Sequence, residues 1–229
     1  MVHVWQVPLA QPEDRINSSR ALLSQEELDR AHRFYFDHHR VRFIAGRAAL
    51  KSILSGYLEI NPRSVEFSLG PQGKPELKAG MAESGIRFNL SHSGDFALVA
   101  VTQGLAVGVD IEAVNREFAG EDIARRFFSP DEVARLVALP SGERIAAFFR
   151  CWTRKEAYIK ALGKGLSLPL DSFDVTFEPG VSALLLRSTE SEDEPSRWSM
   201  YDLAVPEGYT GALVVEGREH SLEQRMWQF

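Results

Sequence analysis

Asp110 and Glu112 stand two residues apart in the stretch Val107-Gly108-Val109-Asp110-Ile111-Glu112. In an extended chain successive side chains alternate between faces, so Val107, Val109 and Ile111 share one face and both acids the other. Like charges placed this way repel. A hard dication such as Mg²⁺, held by a few carboxylate oxygens with waters and phosphates completing its shell, would remove that repulsion. A polar strand face left in solvent would also do so, and this stretch alone does not separate the two readings.

A second stretch, Phe148-Phe149-Arg150-Cys151-Trp152-Thr153-Arg154-Lys155-Glu156-Ala157-Tyr158-Ile159-Lys160, has helical periodicity. At about 100° per residue Phe148, Trp152, Ile159 and Leu162 share one face, with Lys155 in its middle and Glu156 near its edge. Either Glu156 pairs with Lys160 one turn on, or the two charges face something polar such as a metal-bound polyphosphate. In Phe88-Asn89-Leu90-Ser91-His92-Ser93-Gly94, Ser91 and His92 beside a glycine can bind phosphate or simply make a turn. No Gly-x-Ser-x-Gly pattern supports a serine hydrolase. Gly73-Lys74-Pro75 lacks P-loop spacing and offers a lysine on a rigid turn. Arg42 and Arg47, about one helical turn apart, complete a candidate anion site.

The elements that must position these groups are legible in outline. Ser24-Gln25-Glu26-Glu27 is a capping box opening a helix toward Tyr35, and a second helix reaches about Leu58 before Asn61-Pro62. Strands are expected at 2–7, 65–69, 86–90 and 96–101, with a turn forced at Gly70 to Pro75. Ser129-Pro130-Asp131-Glu132 is a second capping box, and a long helix is expected from Ala146 to Leu162, closed by Gly163. Strands at 173–177, 181–187, 197–204 and 209–216 follow. Each half thus runs capping box, helix, long helix, strands. That predicts an α+β fold of two similar lobes, 1–105 and 106–229, each with antiparallel strands packed on helices and the site between them.

The chain has 229 residues, is 44% hydrophobic and 25% charged, and carries a net charge of -6. This is the composition of a globular protein with a sizeable core, and it argues against general nucleic-acid binding. A single cysteine, Cys151, excludes an internal disulfide. With no signal-like segment and no long apolar run, the expectation is a cytoplasmic protein that does not cross a membrane.

Together, Gly73-Lys74-Pro75, Phe88-Asn89-Leu90-Ser91-His92-Ser93, Gly108-Val109-Asp110-Ile111-Glu112, Arg126-Phe127-Phe128-Ser129, and Trp152 to Lys160 with Gly163-Lys164-Gly165-Leu166 resemble the ordered motifs of the long, two-lobed 4′-phosphopantetheinyl transferases. The resemblance implies transfer of phosphopantetheine from coenzyme A to a serine of an acyl or peptidyl carrier protein, leaving adenosine 3′,5′-bisphosphate. It implies that Asp110, Glu112 and Glu156 hold Mg²⁺ and that Glu156, or Glu112 through water, is the base. Lys155 and Lys160 then meet the pyrophosphate, while Lys74, Ser91, His92, Arg42, Arg47 and Arg30 serve the phosphates and adenine end of coenzyme A. Two lysines of the family's first capped helix are replaced here by Glu27 and Arg30, and Glu27 cannot serve a phosphate. Arg125, Arg126, Phe127 and Phe128 form a candidate docking surface for the acidic carrier. A monomer is expected, since the duplication supplies both lobes. A different Mg²⁺-dependent enzyme acting on a nucleotide pyrophosphate, such as a hydrolase, is the alternative.

Overall fold

The structure is a computed structural model describing residues 1–70, 73–115, 117 and 120–229, with Leu166 described by its backbone alone. Pro71 and Gln72, the centre of the expected turn at Gly70 to Pro75, lie outside the described residues. The chain runs β1 (Val2–Pro8), α1 (Glu13–Arg20), α2 (Gln25–His32), α3 (Asp37–Leu58), β2 (Phe67–Leu69), β3 (Pro75–Leu77), α4 (Ala79–Ala82), β4 (Ile86–Ser93) and β5 (Phe96–Gln103). It continues with β6 (Val107–Ala113), α5 (Glu121–Phe127), α6 (Pro130–Ala138), α7 (Ser141–Leu162), β7 (Phe173–Val175), β8 (Leu185–Ser188), α8 (Glu194–Arg197), β9 (Trp198–Asp202), β10 (Tyr209–Glu216) and β11 (Leu222–Met226).

Two sheets lie back to back between two long helices. One has the order β11-β1-β5-β4 and the other β6-β10-β9. Val2, Val4, Leu98 and Ala100 of the first sheet pack against Val107, Val109, Ile111, Leu213 and Val215 of the second. Each such buried valine or isoleucine contributes roughly 1.5–3 kcal/mol. The outer face of the first sheet, with Ala97, Val99 and Val101, meets Ile44, Ala48 and Leu54 of α3. Ala212 and Val214 of the second face Ala157 and Ala161 of α7. β5 is therefore covered on both sides, which is why Phe96 to Val101 reads as one apolar run rather than an alternation.

Local signals set the helix ends. Ser24 and Ser129 each accept from the backbone N–H three residues on, and Glu27 and Glu132 reach back to the serine N–H groups, so both capping boxes form. α3 and α7 are each 22 residues long, and each ends at a left-handed residue, Glu59 (φ 54°) and Gly163 (φ 69°). The α+β expectation holds, with differences in the elements: the strand expected at 181–187 is confined to β8, and β3, α4, α5 and α8 lie outside the expected elements. α7 starts at Ser141 rather than Ala146, because Pro140 lies just outside the helix, where its ring does no harm, and Gly142 is tolerated in the first turn. α1 was not expected, because it buries little more than Ile16 and Ser19 and so has no apolar stripe. β11 pairs parallel to β1, so the end of the chain returns to the first sheet, across the expected division at 105/106.

Candidate active site

The site is built where β6, β4 and α7 meet. A Cβ added to Gly108 would lie 2.0 Å from Ala157 O and 2.4 Å from Ala161 N, so only glycine lets α7 cross β6 this closely. That crossing brings the turn bearing Glu156 and Lys160 over the acid face of β6. Lys160 Nζ donates to Asp110 Oδ1 at 2.6 Å and to Ser91 Oγ at 3.0 Å. From β4, Ser91 Oγ donates to Asp110 Oδ1 at 2.8 Å and Ser93 Oγ to Glu112 Oε2 at 2.9 Å. Asn89, Ser91 and Ser93 also accept from the backbone N–H groups of Val109, Ile111 and Ala113, at 2.8, 3.4 and 3.0 Å.

The electrostatics favour a cation. Burial and then the Asp110 charge hold both Glu112 and Glu156 above the ordinary carboxylate range, while Lys160 pulls each back in part. Asp110 is 2% exposed, and its Oδ2 is buried without a hydrogen-bond partner. An orphaned buried carboxylate oxygen beside two carboxylates held above their usual range is what a hard dication would satisfy. Among the described residues no three acidic or histidine side chains converge as a ready-made metal cage. Mg²⁺ keeps several waters and takes substrate phosphates beside its protein carboxylates, so no complete protein cage is needed and the donor set still fits.

Two cavities adjoin this point and share Gly73, Pro75 and Leu90. The smaller, about 250 Å³, is lined by Lys74, Asn89, Glu156 and Lys160 among others. The larger, about 640 Å³, is lined by Arg30, Arg42, Arg47, His39, His92 and the ring of Phe43 among others. Arg42 is held by Asp95 at 2.7 Å, and Arg47 lies 3.5 Å from Glu27 and 4.9 Å above the Phe67 ring. Arg30 lies 5.2 Å above the ring of Phe43. Desolvation, then the charges of Lys160 and Arg42, hold His92 below its ordinary value. Lys74 bridges the halves by donating to Lys160 O at 3.0 Å and Val107 O at 3.4 Å. Burial lowers its pKa first, opposed by Glu76.

Asp110, Glu112, Glu156, Lys160, Lys74 and Ser91 therefore gather at one place, with Arg30, Arg42, Arg47 and His92 in the adjoining cavity. Lys155 does not join them. It is fully buried, pairs with Glu132 at 2.7 Å and donates to Leu170 O and Phe173 O, so no ligand phosphate can reach it. Ser91, 7% exposed, uses its hydroxyl on Asp110 and holds the carboxylate rather than a ligand. Phe128, 3% exposed, packs in the core against Phe148 and cannot join the expected docking surface, whereas Phe127, edge-on against Trp152, stays half-exposed beside the exposed Arg125 and Arg126. Reading the sequence missed Ser93 and Asn89, although the alternation Asn89-x-Ser91-x-Ser93 puts three polar side chains on one strand face.

Comparison with known proteins shows the family. The family model of the 4′-phosphopantetheinyl transferase superfamily matches residues 106–214, and that of the 4′-phosphopantetheinyl transferase N-terminal region matches 11–104. The chain belongs to the 4′-phosphopantetheinyl transferase superfamily, a family of enzymes. It is 40% identical over 228 residues to the 4′-phosphopantetheinyl transferase HetI of Nostoc sp., covering 100% of this chain and 92% of that one. Its identity to the 4′-phosphopantetheinyl transferase Sfp of Bacillus subtilis is 34% over 168 residues, 73% of this chain and 71% of that one. The solved holo-[acyl-carrier-protein] synthase of Thermotoga maritima overlays with a TM-score of 0.39 at 22% identity, over 50% of this chain and 64% of that one.

Proposed function

We propose that this enzyme moves the 4′-phosphopantetheine group of coenzyme A onto a serine hydroxyl of an acyl or peptidyl carrier protein and releases adenosine 3′,5′-bisphosphate. The observation that carries the reading is the pair of adjoining cavities, one lined by arginines and the other by Glu156 and Lys160 beside Asp110. A nucleotide with phosphates suits the first. Its pyrophosphate would then fall at the carboxylates.

In the transfer, the serine oxygen forms a bond to the phosphorus that carries pantetheine, and the bond from that phosphorus to the bridging oxygen breaks. The departing nucleotide keeps the electron pair. Glu156 is suited to receive the serine proton, because its carboxylate is held above the usual range and takes no hydrogen bond from any described residue. Lys160 is placed to meet a pyrophosphate oxygen, and Arg30, Arg42, Arg47 and His92 would grip the nucleotide end. Asp110, Glu112 and Glu156 are the residues that would hold Mg²⁺, which would supply charge neutralisation for the departing phosphate. Arg125 and Arg126, exposed on α5, offer a basic face to an acidic carrier helix. A cytoplasmic monomer belongs to the same proposal. No helix among the described residues is long and apolar enough to cross a membrane.

The test is intact-mass spectrometry of an apo carrier protein incubated with the enzyme, coenzyme A and Mg²⁺. A mass gain of one phosphopantetheine, lost with Asp110→Ala and Glu156→Ala, is expected. Release of free phosphopantetheine with no gain on any carrier would instead establish a hydrolase.

A further inference from the structure

Among the described residues, the edge of β6 turned away from β10 has no strand paired to it. Its N–H groups at Val109, Ile111 and Ala113 go instead to the side chains of Asn89, Ser91 and Ser93. The side-chain period of two in β4 matches the period of the exposed N–H groups in β6, so a row of side chains does the work of a ladder. A hydroxyl has one proton to donate and lone pairs to accept with. Ser91 and Ser93 use both capacities: each accepts from a β6 N–H and gives its proton to the carboxylate one residue earlier. Each acid is thereby tied to the backbone of its own strand through a serine of another.

The two acids are not held equally. Asp110 has a second tether in Lys160, whereas among the described residues Ser93 alone donates to Glu112, at Oε2. Glu112 Oε1 is left uncommitted.

We propose that Ser93 is a positioning residue for the metal site: its hydroxyl fixes the Glu112 carboxylate so that the remaining oxygen is presented to the dication. The proposal rests on the transferase reading above. It differs from a purely structural role, in which the serine only satisfies the Ala113 N–H. The control is a double variant, because a serine that acts through Glu112 has no further effect on Mg²⁺ binding once that carboxylate is gone.

The experiment compares Ser93→Thr with Ser93→Val, which match in size and branching and differ in the hydroxyl, alongside Ser93→Ala, Glu112→Gln and the double variant Ser93→Val with Glu112→Gln. Mg²⁺ is titrated calorimetrically into each protein in the presence of coenzyme A, and the half-saturating Mg²⁺ for carrier modification and the melting temperature are measured in parallel. Ser93→Val and Ser93→Ala should weaken Mg²⁺ binding about tenfold, the lower end for loss of a group that orients a metal ligand, while Ser93→Thr stays within about twofold of wild type. Adding Ser93→Val to Glu112→Gln should leave Mg²⁺ binding within about twofold of Glu112→Gln alone. Equal Mg²⁺ binding by the Thr and Val variants, or a further loss of about tenfold in the double variant, would overturn the positioning role and leave the transferase reading standing. A wild type that binds no Mg²⁺ and modifies no carrier would end both.

Discussion

β1 and β6 hold corresponding places in the two sheets, each antiparallel to a long apolar strand and each followed by a capped helix and then a 22-residue helix. Aligning Val2 and Val4 with Val107 and Val109 sets His3 against Gly108, Trp5 against Asp110 and Val7 against Glu112. Lys51 and Lys155 stand at the same place in their helices, and each pairs with the glutamate of its capping box, Glu27 at 3.4 Å and Glu132 at 2.7 Å. One residue further on, Ser52 corresponds to Glu156. The packing devices are common to both halves, and the clustered carboxylates are in one. Where the second half has carboxylates, the first has an aromatic plug: Trp5 Nε1 donates to Tyr57 at 2.9 Å, and Trp227 packs edge-on to Trp5 at 6.1 Å. The free edge of β1 is closed by a backbone ladder to β11, and that of β6 by side chains that also hold acids. A scaffold that serves for packing thus becomes a site when a glycine admits the helix and acids replace the apolar face.

The comparison breaks most severely at Gly108. Gly108→Ala places a methyl against two backbone atoms of α7, a clash no rotamer relieves, and the loss should exceed the about 1–3 kcal/mol usual for overpacking. His3→Ala, at the corresponding place, should cost far less, as urea unfolding of the two variants would show. Next come the paired glutamates. Glu132→Ala strands a fully buried lysine and should cost about 3–5 kcal/mol, whereas Glu27→Ala, whose glutamate is 16% exposed, should cost about 1–3 kcal/mol. Equal losses in thermal unfolding would contradict this ranking by burial. Trp5→Phe removes one hydrogen bond to Tyr57, worth about 1 kcal/mol, and should leave carrier modification unchanged.

The smallest effect is in pH dependence, and its sign separates the halves. Glu112 and Glu156 are held above their ordinary value of 4.5. Stability from their neutral forms is therefore present below that value and lost as pH rises through the raised range. Without metal, wild-type stability should fall across that window, and Glu156→Gln should flatten the fall. A steeper fall in the variant would contradict the assignment.

Much of this was legible in the residues. Both capping boxes, the strand at 209–216 and the alternation that puts Asp110 beside Glu112 follow from local chemistry. Lys155 was misplaced because periodicity shows which face a residue occupies but not what lies opposite, and Glu132 arrives there from a different helix. Ser93 was missed for a similar reason: its partner sits on another strand, and nothing local distinguishes a hydroxyl facing a carboxylate from one facing water. No strand is expected at β11, whose Leu222-Glu223-Gln224-Arg225-Met226 is mostly polar, and its place beside β1 is a property of topology alone.

The most direct measurement is on Glu156→Gln, followed for both carrier modification and melting temperature at neutral pH. The account predicts a loss of transfer of at least about 100-fold with a melting temperature equal to or above that of wild type, because the substitution removes the proton acceptor together with a repelled, half-buried charge. Transfer within tenfold of wild type, or a clear drop in melting temperature, would show that Glu156 serves the fold rather than the reaction.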